Sequence, residues 1–282
     1  MNIKKISIRI LSFSLVFSLL FSASVSSFAE SNTIVLDTES LLVEGWHFLL
    51  GDNVEQDIPK GVSLIRNAAD SGSVEAMLRL GYLCAYGYGN LIEDDYVDGS
   101  DAELALGWFN KAAESGNPEL ATDKMIDVGY AYLLGTDEHI SEDTANSLKF
   151  LERAEQLGNY SANSILGIYY TYGAIVDRNP DRALELFVEG ARAGYPECAV
   201  EIEDYAYSYY TGNDEDIDVN FGTAFKYYEA LTEFHNPRAM YNLGLLYIYG
   251  LGVSPDRDKG IEWITKAADT GDEVAKAMLD LV

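Results

Sequence analysis

Six times along this chain a small residue is followed three positions later by an aromatic or Cys and six positions later by Gly. The registers are Gly45/Phe48/Gly51, Gly81/Cys84/Gly87, Gly129/Tyr132/Gly135, Gly167/Tyr170/Gly173, Ala206/Tyr209/Gly212 and Gly244/Tyr247/Gly250. A second segment follows each, closing on Gly72, Gly116, Gly158, Gly194, His235 and Gly271. The first and last marks lie 27, 35, 29, 27, 29 and 27 residues apart. The unit is therefore about 36 residues long, a period that belongs to stacked supersecondary elements. Such units build extended surfaces rather than one catalytic constellation.

The last full unit shows what each segment is. Met240, Leu243, Gly244 and Tyr247 fall at i, i+3, i+4 and i+7, one stripe of an amphipathic helix. Pro237 suits its first turn and Gly250 its C-terminus. Ile261, Ile264 and Ala267-Ala268 repeat the spacing in a second helix closed by Gly271. Helices of about a dozen residues are marginal alone in water, so packing on the partner and on the next pair must hold them. Gly costs about 1 kcal/mol relative to Ala inside a helix, so a recurrent one implies close approach of the second helix. The Ala pairs 68-69, 112-113 and 267-268 are read as serving that approach from the opposite side. Extra residues before the register in the units carrying Asp127-Val128-Gly129 and Asp204-Tyr205-Ala206 predict first helices a turn longer.

The pattern resembles the Sel1-like repeat family, relatives of tetratricopeptide repeats. It is carried by Ala239-x-x-x-Leu243-Gly244-x-x-Tyr247-x-x-Gly250, Gly252-Val253-x-x-Asp256 and Trp263-x-x-Lys266-Ala267-Ala268-x-x-Gly271. Ala76, Leu80-Gly81, Trp108 and Lys111-Ala112-Ala113 repeat it. The resemblance implies an all-α, right-handed solenoid of antiparallel helix pairs acting as a protein-interaction scaffold. The units are expected at 37–72, 73–116, 117–158, 159–194, 195–235 and 236–271, with a closing half-unit at 272–282.

Lys4, Lys5 and Arg9 precede an apolar run from Ile10 to Phe21, and Ser27-Phe28-Ala29 offers small residues for cleavage. Residues 1–29 are read as a signal peptide and 30–36 as a flexible lead-in, which predicts an extracytoplasmic protein, periplasmic or secreted. A retained anchor is the alternative; no stable membrane insertion is expected after cleavage. The whole chain carries a formal charge of −27, from 46 acids against 19 Lys and Arg. That balance excludes general binding to nucleic-acid phosphates and favours basic partners, divalent cations or simple solubility. Cys84 and Cys198 lie three repeats apart, too far to bridge in a solenoid, and Cys84 fills a packed slot.

The functional surface is sought on the first helices, where positions −3, +1, +4 and +5 point away from the buried stripe. The +1 row is Trp46, Tyr82, Tyr130, Ile168, Tyr207 and Leu245. The +5 row is Leu50, Tyr86, Leu134, Tyr172, Thr211 and Tyr249, with Tyr210 at +4. Tyr gives contact area at low entropic cost and keeps a hydroxyl at its edge. Trp46, Tyr82, Tyr86, Tyr130, Tyr172, Tyr207, Tyr210 and Tyr249 are therefore the candidate ligand-binding residues, on a concave face suited to a protein, a peptide or a polysaccharide of the cell envelope. The competing reading is that such rings fill contacts between repeats.

The loops between paired helices hold 20 of the 46 acids and form an acidic ridge, in part as helix caps, with Asp181 and Asp256 or Asp258 the best cases. Asp214-x-Asp216-x-Asp218-x-Asn220 alternates oxygen ligands as a calcium loop does. It has Val219 and Phe225 where such a loop needs Gly and Glu, so no metal is expected. His47, His139 and His235 stand in different units without zinc spacing, and no nucleophile elbow or phosphate loop appears. Cys84 with His47, and Glu39 with Glu75, are the nearest approaches to a catalytic pair. The chain is expected to be a non-enzymatic adaptor without cofactor, its alternative a polysaccharide-binding protein or hydrolase using the same groove.

Overall fold

The computed structural model describes residues 37–88, 101–135 and 140–279. Residues 1–29, read above as a signal peptide, residues 30–36, read as a flexible lead-in, the acids between 93 and 98, Asp137, Glu138, His139 and the last three residues lie outside them. Among the described residues there are thirteen α-helices and no strand. They are α1 (Thr38–Leu50), α2 (Ile58–Asp70), α3 (Val74–Leu83), α4 (Asp101–Glu114), α5 (Pro118–Leu134), α6 (Thr144–Gln156) and α7 (Tyr160–Tyr172). Then follow α8 (Pro180–Arg192), α9 (Pro196–Thr211), α10 (Phe221–Leu231), α11 (Pro237–Tyr249), α12 (Arg257–Asp269) and α13 (Glu273–Leu279). The fold is an all-α repeat solenoid, one helix pair per repeat, and it divides after Asn159 into two compact units. The N-terminal unit holds the pairs α1/α2, α3/α4 and α5/α6. The C-terminal unit holds α7/α8, α9/α10, α11/α12 and α13.

Helix starts are written in polar side chains. Asp37, Asp57, Ser73, Asn117, Asp143, Asn179, Asn220, Asn236 and Asp256 each accept from the backbone N–H three residues on. Each such cap typically contributes about 1 kcal/mol. Asp256 thus caps α12 as expected, whereas α8 is capped by Asn179, leaving Asp181 in its first turn. Helix ends are written in glycine. All six glycines at +6, and the five that close second segments, have positive φ, from 55° at Gly135 to 113° at Gly116. His235, the one substitute, takes the same left-handed conformation at φ 55°.

A second bond closes the hairpin. The cap residue of the second helix donates its N–H to the carbonyl of the +3 residue: Asp57 to Phe48, Asp143 to Tyr132, Asn179 to Tyr170, Asn220 to Tyr209 and Asp256 to Tyr247, at 2.7–2.9 Å. The left-handed glycine turns the chain so that this reach is short. The longer first helices appear where expected: α5 has 17 residues and α9 has 16, against 13 in α1, α7 and α11.

The register glycines are contact points. A Cβ at Gly244 would stand 2.6 Å from Ile264 Cγ1 and 2.8 Å from the Gly260 carbonyl; at Gly45 the figures are 2.7 Å to Ile65 Cγ1 and 2.9 Å to the Gly61 carbonyl. Gly81 and Gly167 are covered by the rings of Phe109 and Phe187. The side facing each of the five register glycines is thus a large apolar residue, joined by Gly61 or Gly260 in the first and last pairs, and not the alanine pair assigned from sequence. The alanines are buried elsewhere: Ala267 and Ala268 pack with Met240, Ile264 and Ala275. Rings continue the core from pair to pair. Phe109 meets Phe150 edge-on at 6.2 Å, and Phe150 stacks on Tyr132 at 5.8 Å. In the C-terminal unit Phe187 stacks on Tyr205 at 5.6 Å, and Tyr227 of α10 donates its hydroxyl to the Pro180 carbonyl at 2.8 Å. Aromatic pairs of this kind are worth about 0.5–1.5 kcal/mol beyond the area they bury. Cys84 and Cys198 are both buried thiols.

Candidate interaction surface

The eight candidate residues fall four to each unit, all on first helices or, for Tyr86, on the turn that extends α3. In the N-terminal unit Trp46, Tyr82, Tyr86 and Tyr130 are half-buried. Tyr82 is already engaged: its hydroxyl donates to Asp127 Oδ2 at 3.0 Å, and its ring meets Phe109 edge-on at 5.7 Å. Burial, then the Asp127 carboxylate, pushes the phenol far above its ordinary range. In the C-terminal unit Tyr172 donates to Asp214 Oδ2 at 2.7 Å and sits half-buried against Tyr205. Tyr210 is half-buried, held edge-on by Phe221 at 5.8 Å and Tyr228 at 6.4 Å. Tyr207 and Tyr249 are the two large rings of the set presented to solvent, 40% and 62% exposed.

The outward directions deduced from helical geometry hold only in part. At +1, Ile168 is buried. At +4, Ala85, Leu133 and Thr171 are buried, leaving Tyr210 partly open in its repeat. Successive first helices touch within each unit, α3 with α5 and α7 with α9. In the first helix of the fourth repeat the innermost ring is Tyr169, one position before the expected Tyr170, and burial alone raises its phenol pKa.

Sequence reasoning missed a set of basic partners. Arg79 lies over the Trp46 ring (5.4 Å to the centroid), Lys124 over Tyr82 (5.8 Å) and Arg238 over Tyr207 (5.5 Å). Each ring belongs to position +1 of one repeat and each cation to the first helix of the next. Carboxylates complete the arrangement: Glu75 pairs with Arg79 at 2.6 Å, Asp127 with Lys124 at 3.2 Å and Glu203 with Arg238 at 3.4 Å. The cations stand at −2, −5 and −6 of their repeats, so no fixed row betrays them. Tyr241 stands on the −3 row, which was named as outward, but only the +1 and +5 rows were read residue by residue. Its hydroxyl is raised by burial and then by the nearby Asp272, Tyr210 and Tyr249.

The acidic loops prove partly structural where they are described. Asp57, Asp143 and Asp256 cap helices, Asp181 pairs with Lys226 at 2.6 Å, and Asp214 Oδ1 accepts from the Asp216 N–H at 3.0 Å. Among the described residues no three His, Cys, Asp or Glu side chains converge as a metal set.

With the repeat geometry in place, comparison with known proteins is decisive at the family level. The Sel1 repeat model matches residues 45–73, 74–117, 125–159, 161–195, 203–231 and 237–272. The chain belongs to the Sel1 repeat family. Sel1 repeats generally mediate protein–protein interactions, and no catalytic family is indicated. Among curated proteins, the chain is 23% identical over 233 residues to chitin synthase regulatory factor 3 of Schizosaccharomyces pombe, covering 82% of this chain and 24% of that one. It is also 23% identical to the chitin synthase regulator SKT5 of Saccharomyces cerevisiae, covering 80% and 31%. The chain therefore spans about a quarter to a third of the length of these relatives. Among solved structures, the c5321 protective antigen of uropathogenic Escherichia coli is 24% identical, covering 84% of this chain and 47% of that one, with TM-score 0.37. A Sel1 repeat protein from Oxalobacter formigenes is 22% identical, covering 87% and 65%, with TM-score 0.36. Among the described residues no helix is long and apolar enough to cross a membrane.

Proposed function

We propose that this Sel1 repeat chain is an exported, non-enzymatic scaffold that holds a protein or peptide against the aromatic face of its first helices, with the acidic loops steering basic partners towards it. The observation that carries the reading is the pair of rings presented to solvent by consecutive first helices, Tyr207 on α9 and Tyr249 on α11. Rings held on rigid helices offer contact area at little entropic cost. A formal charge of −27 favours fast encounter with a basic partner. Two relatives are named as regulators of chitin synthase, a role exerted through another protein, which accords with an adaptor. Export rests on the basic segment, apolar run and Ser27-Phe28-Ala29 of the N-terminus.

The test places a photo-crosslinking phenylalanine at position 211, exposed on α9 one turn beyond Tyr207, and compares capture from the cell envelope with and without the double change Tyr207→Ala and Tyr249→Ala. Loss of capture with an unchanged circular dichroism spectrum supports the scaffold. Capture that survives the double change removes the face from consideration, and turnover of envelope oligosaccharides by the purified chain would favour a hydrolase instead. A mature protein beginning at Glu30 in the extracytoplasmic fraction checks the export step.

A further inference from the structure

Second helices of neighbouring repeats are tied by side chains that recur at matching places. Counted from the capping residue, Lys149 is sixth in α6 and pairs with Glu103 of α4; Lys226 is sixth in α10 and pairs with Asp181 of α8 at 2.6 Å. The tenth place differs. In α6 it is Arg153, half-buried, whose Nε donates to Asn110 Oδ1 of α4 at 2.6 Å and whose Nη1 donates to Gln156 Oε1 at 3.2 Å. In α10 it is Ala230, too short to reach across. The other capped second helices carry Asn67, Glu189 and Lys266 there, so the small side chain is the exception.

The place that Arg153 takes between α4 and α6 is open between α8 and α10. A cavity of about 340 Å³ lies there, floored by the half-buried Leu184 and Val188 of α8 and Ala230 of α10. Ion pairs bridge the two helices at both ends. Lys226 meets Asp181 at one end; at the other Arg192 meets Glu233, just beyond α10, through two bonds of 2.8 and 2.7 Å. Asp181 and Arg192 stand eleven residues apart, about 16 Å along α8. These ties hold the slot before any partner arrives.

Glu189 forms the rim. Its Oε2 accepts from Asn163 Nδ2 at 3.3 Å, and Asn163, 2% exposed, also donates to the Leu186 carbonyl at 3.3 Å. The carboxylate is thus oriented by a buried amide. Arg192 feels its charge but is bound to Glu233, and among the described residues no Lys or Arg pairs with Glu189. An apolar floor with a carboxylate at its edge suits a long side chain whose stem packs on carbon and whose end carries positive charge. An acidic side chain would meet Asp181, Glu185 and Glu189. Arginine fits best, because its planar fork brings two donors to one carboxylate.

We propose that the slot between α8 and α10 receives one arginine side chain of a partner protein, its stem on Leu184, Val188 and Ala230 and its guanidinium on Glu189, in the place that Arg153 takes between α4 and α6. That the occupant belongs to a protein rests on the scaffold reading above. The slot itself lies on second helices and uses none of the first-helix rings, so it adds a separate contact.

The experiment follows the methyl resonances of Leu184, Val188 and Ala230 in the full chain during titration with N-acetyl-Gly-Arg-Gly amide and with its citrulline counterpart, which keeps the shape and loses the charge. The arginine peptide is expected to shift all three resonances saturably. The citrulline peptide should bind about two- to fivefold more weakly, and Glu189→Gln should weaken the arginine peptide by a similar factor, the range for one exposed ion pair. Ala230→Arg supplies the missing side chain from within and should remove the response at Leu184 and Val188 while the thermal unfolding midpoint holds or rises. Should that variant unfold early, the surface change Glu189→Gln decides. No saturable shift, an equal response to the two peptides, a response that Glu189→Gln leaves unchanged, or one that survives in a folded Ala230→Arg chain overturns the slot. Envelope capture that needs Tyr207 and Tyr249 beside an absent arginine response would sink the slot alone. An arginine response beside capture indifferent to both rings would keep the slot and sink the aromatic face.

Discussion

Placing one methyl group at Gly244 tests the reasoning by which the helix pairs are built. In an open helix the change to Ala is favourable by about 0.5–1 kcal/mol, because glycine loses more backbone freedom on folding. At Gly244 the new Cβ would meet Ile264 Cγ1 at 2.6 Å, the Gly260 carbonyl oxygen at 2.8 Å and the Ile264 nitrogen at 3.2 Å. Two of these three are backbone, which cannot rotate aside, so α12 must retreat from α11 by about half an ångström or more. Overpacking of that kind costs typically 1–3 kcal/mol, and the retreat loosens Ile264, whose full burial is itself worth about 1.5–3 kcal/mol. Gly244→Ala is thus expected to destabilise the C-terminal unit by about 1–2 kcal/mol net. Gly107 in α4 is the control: a Cβ there meets nothing within 4 Å, so Gly107→Ala should gain close to the propensity term. Gly129, whose nearest neighbour would be Leu151 Cγ at 3.3 Å, should fall between them. Urea unfolding followed by far-UV circular dichroism reads the order of the three variants, and Trp263 on α12 gives a local fluorescence signal. Comparing midpoints avoids assuming a single two-state transition for a repeat array. Gly244→Ala as stable as the parent would refute close backbone approach as the reason for the glycine.

His235→Gly should raise stability by about 0.5–1 kcal/mol, read as a higher urea midpoint, because a side chain in the left-handed region costs about 1–2 kcal/mol and glycine returns part of that in unfolded-chain entropy; a lower midpoint would mean that the imidazole does something the backbone geometry hides. The buried phenols predict alkaline unfolding. Burial first, with Asp101 and Asp143 adding, pushes Tyr132 from its ordinary value of 10.0 to about 12, and burial raises Tyr169, Tyr227 and Tyr228 as well. A folded pKa above the unfolded one means that the stabilisation is complete below pH 10.0 and is lost as pH rises towards 12. Tyrosinate absorbance from these rings should therefore appear together with loss of helical circular dichroism; full ionisation with the helices intact would contradict the burial.

The fold was legible because its determinants are local and repeated. The +3 residue and the +6 glycine stand at fixed offsets, and the capping Asp or Asn follows the +3 residue by nine or eleven positions, close enough for its N–H to reach the +3 carbonyl. Even the longer α5 and α9 followed from counting residues before the register. The interaction surface was legible only in outline. Helical geometry gives directions relative to one axis, whereas exposure depends on the neighbouring repeat; hence Ile168 and Thr171 point outward by angle and are buried in fact. Arg79, Lys124 and Arg238 escaped notice because long side chains reach their rings from different offsets. The alanine pairs were misplaced for a related reason: small size suggested contact with the register glycine, but Ile65, Phe109, Leu151, Phe187 and Ile264 occupy that side.

The ring in one repeat and the cation that covers it are encoded in different repeats, Trp46 with Arg79, Tyr82 with Lys124 and Tyr207 with Arg238. A gene that lengthened by copying a single unit would join a ring to a successor written for another neighbour. The modules look alike in outline, yet at the three junctions that carry such a pair their order is specified. Shuffled arrays of the same six modules should fold less well than the native order, even though every hairpin would be intact.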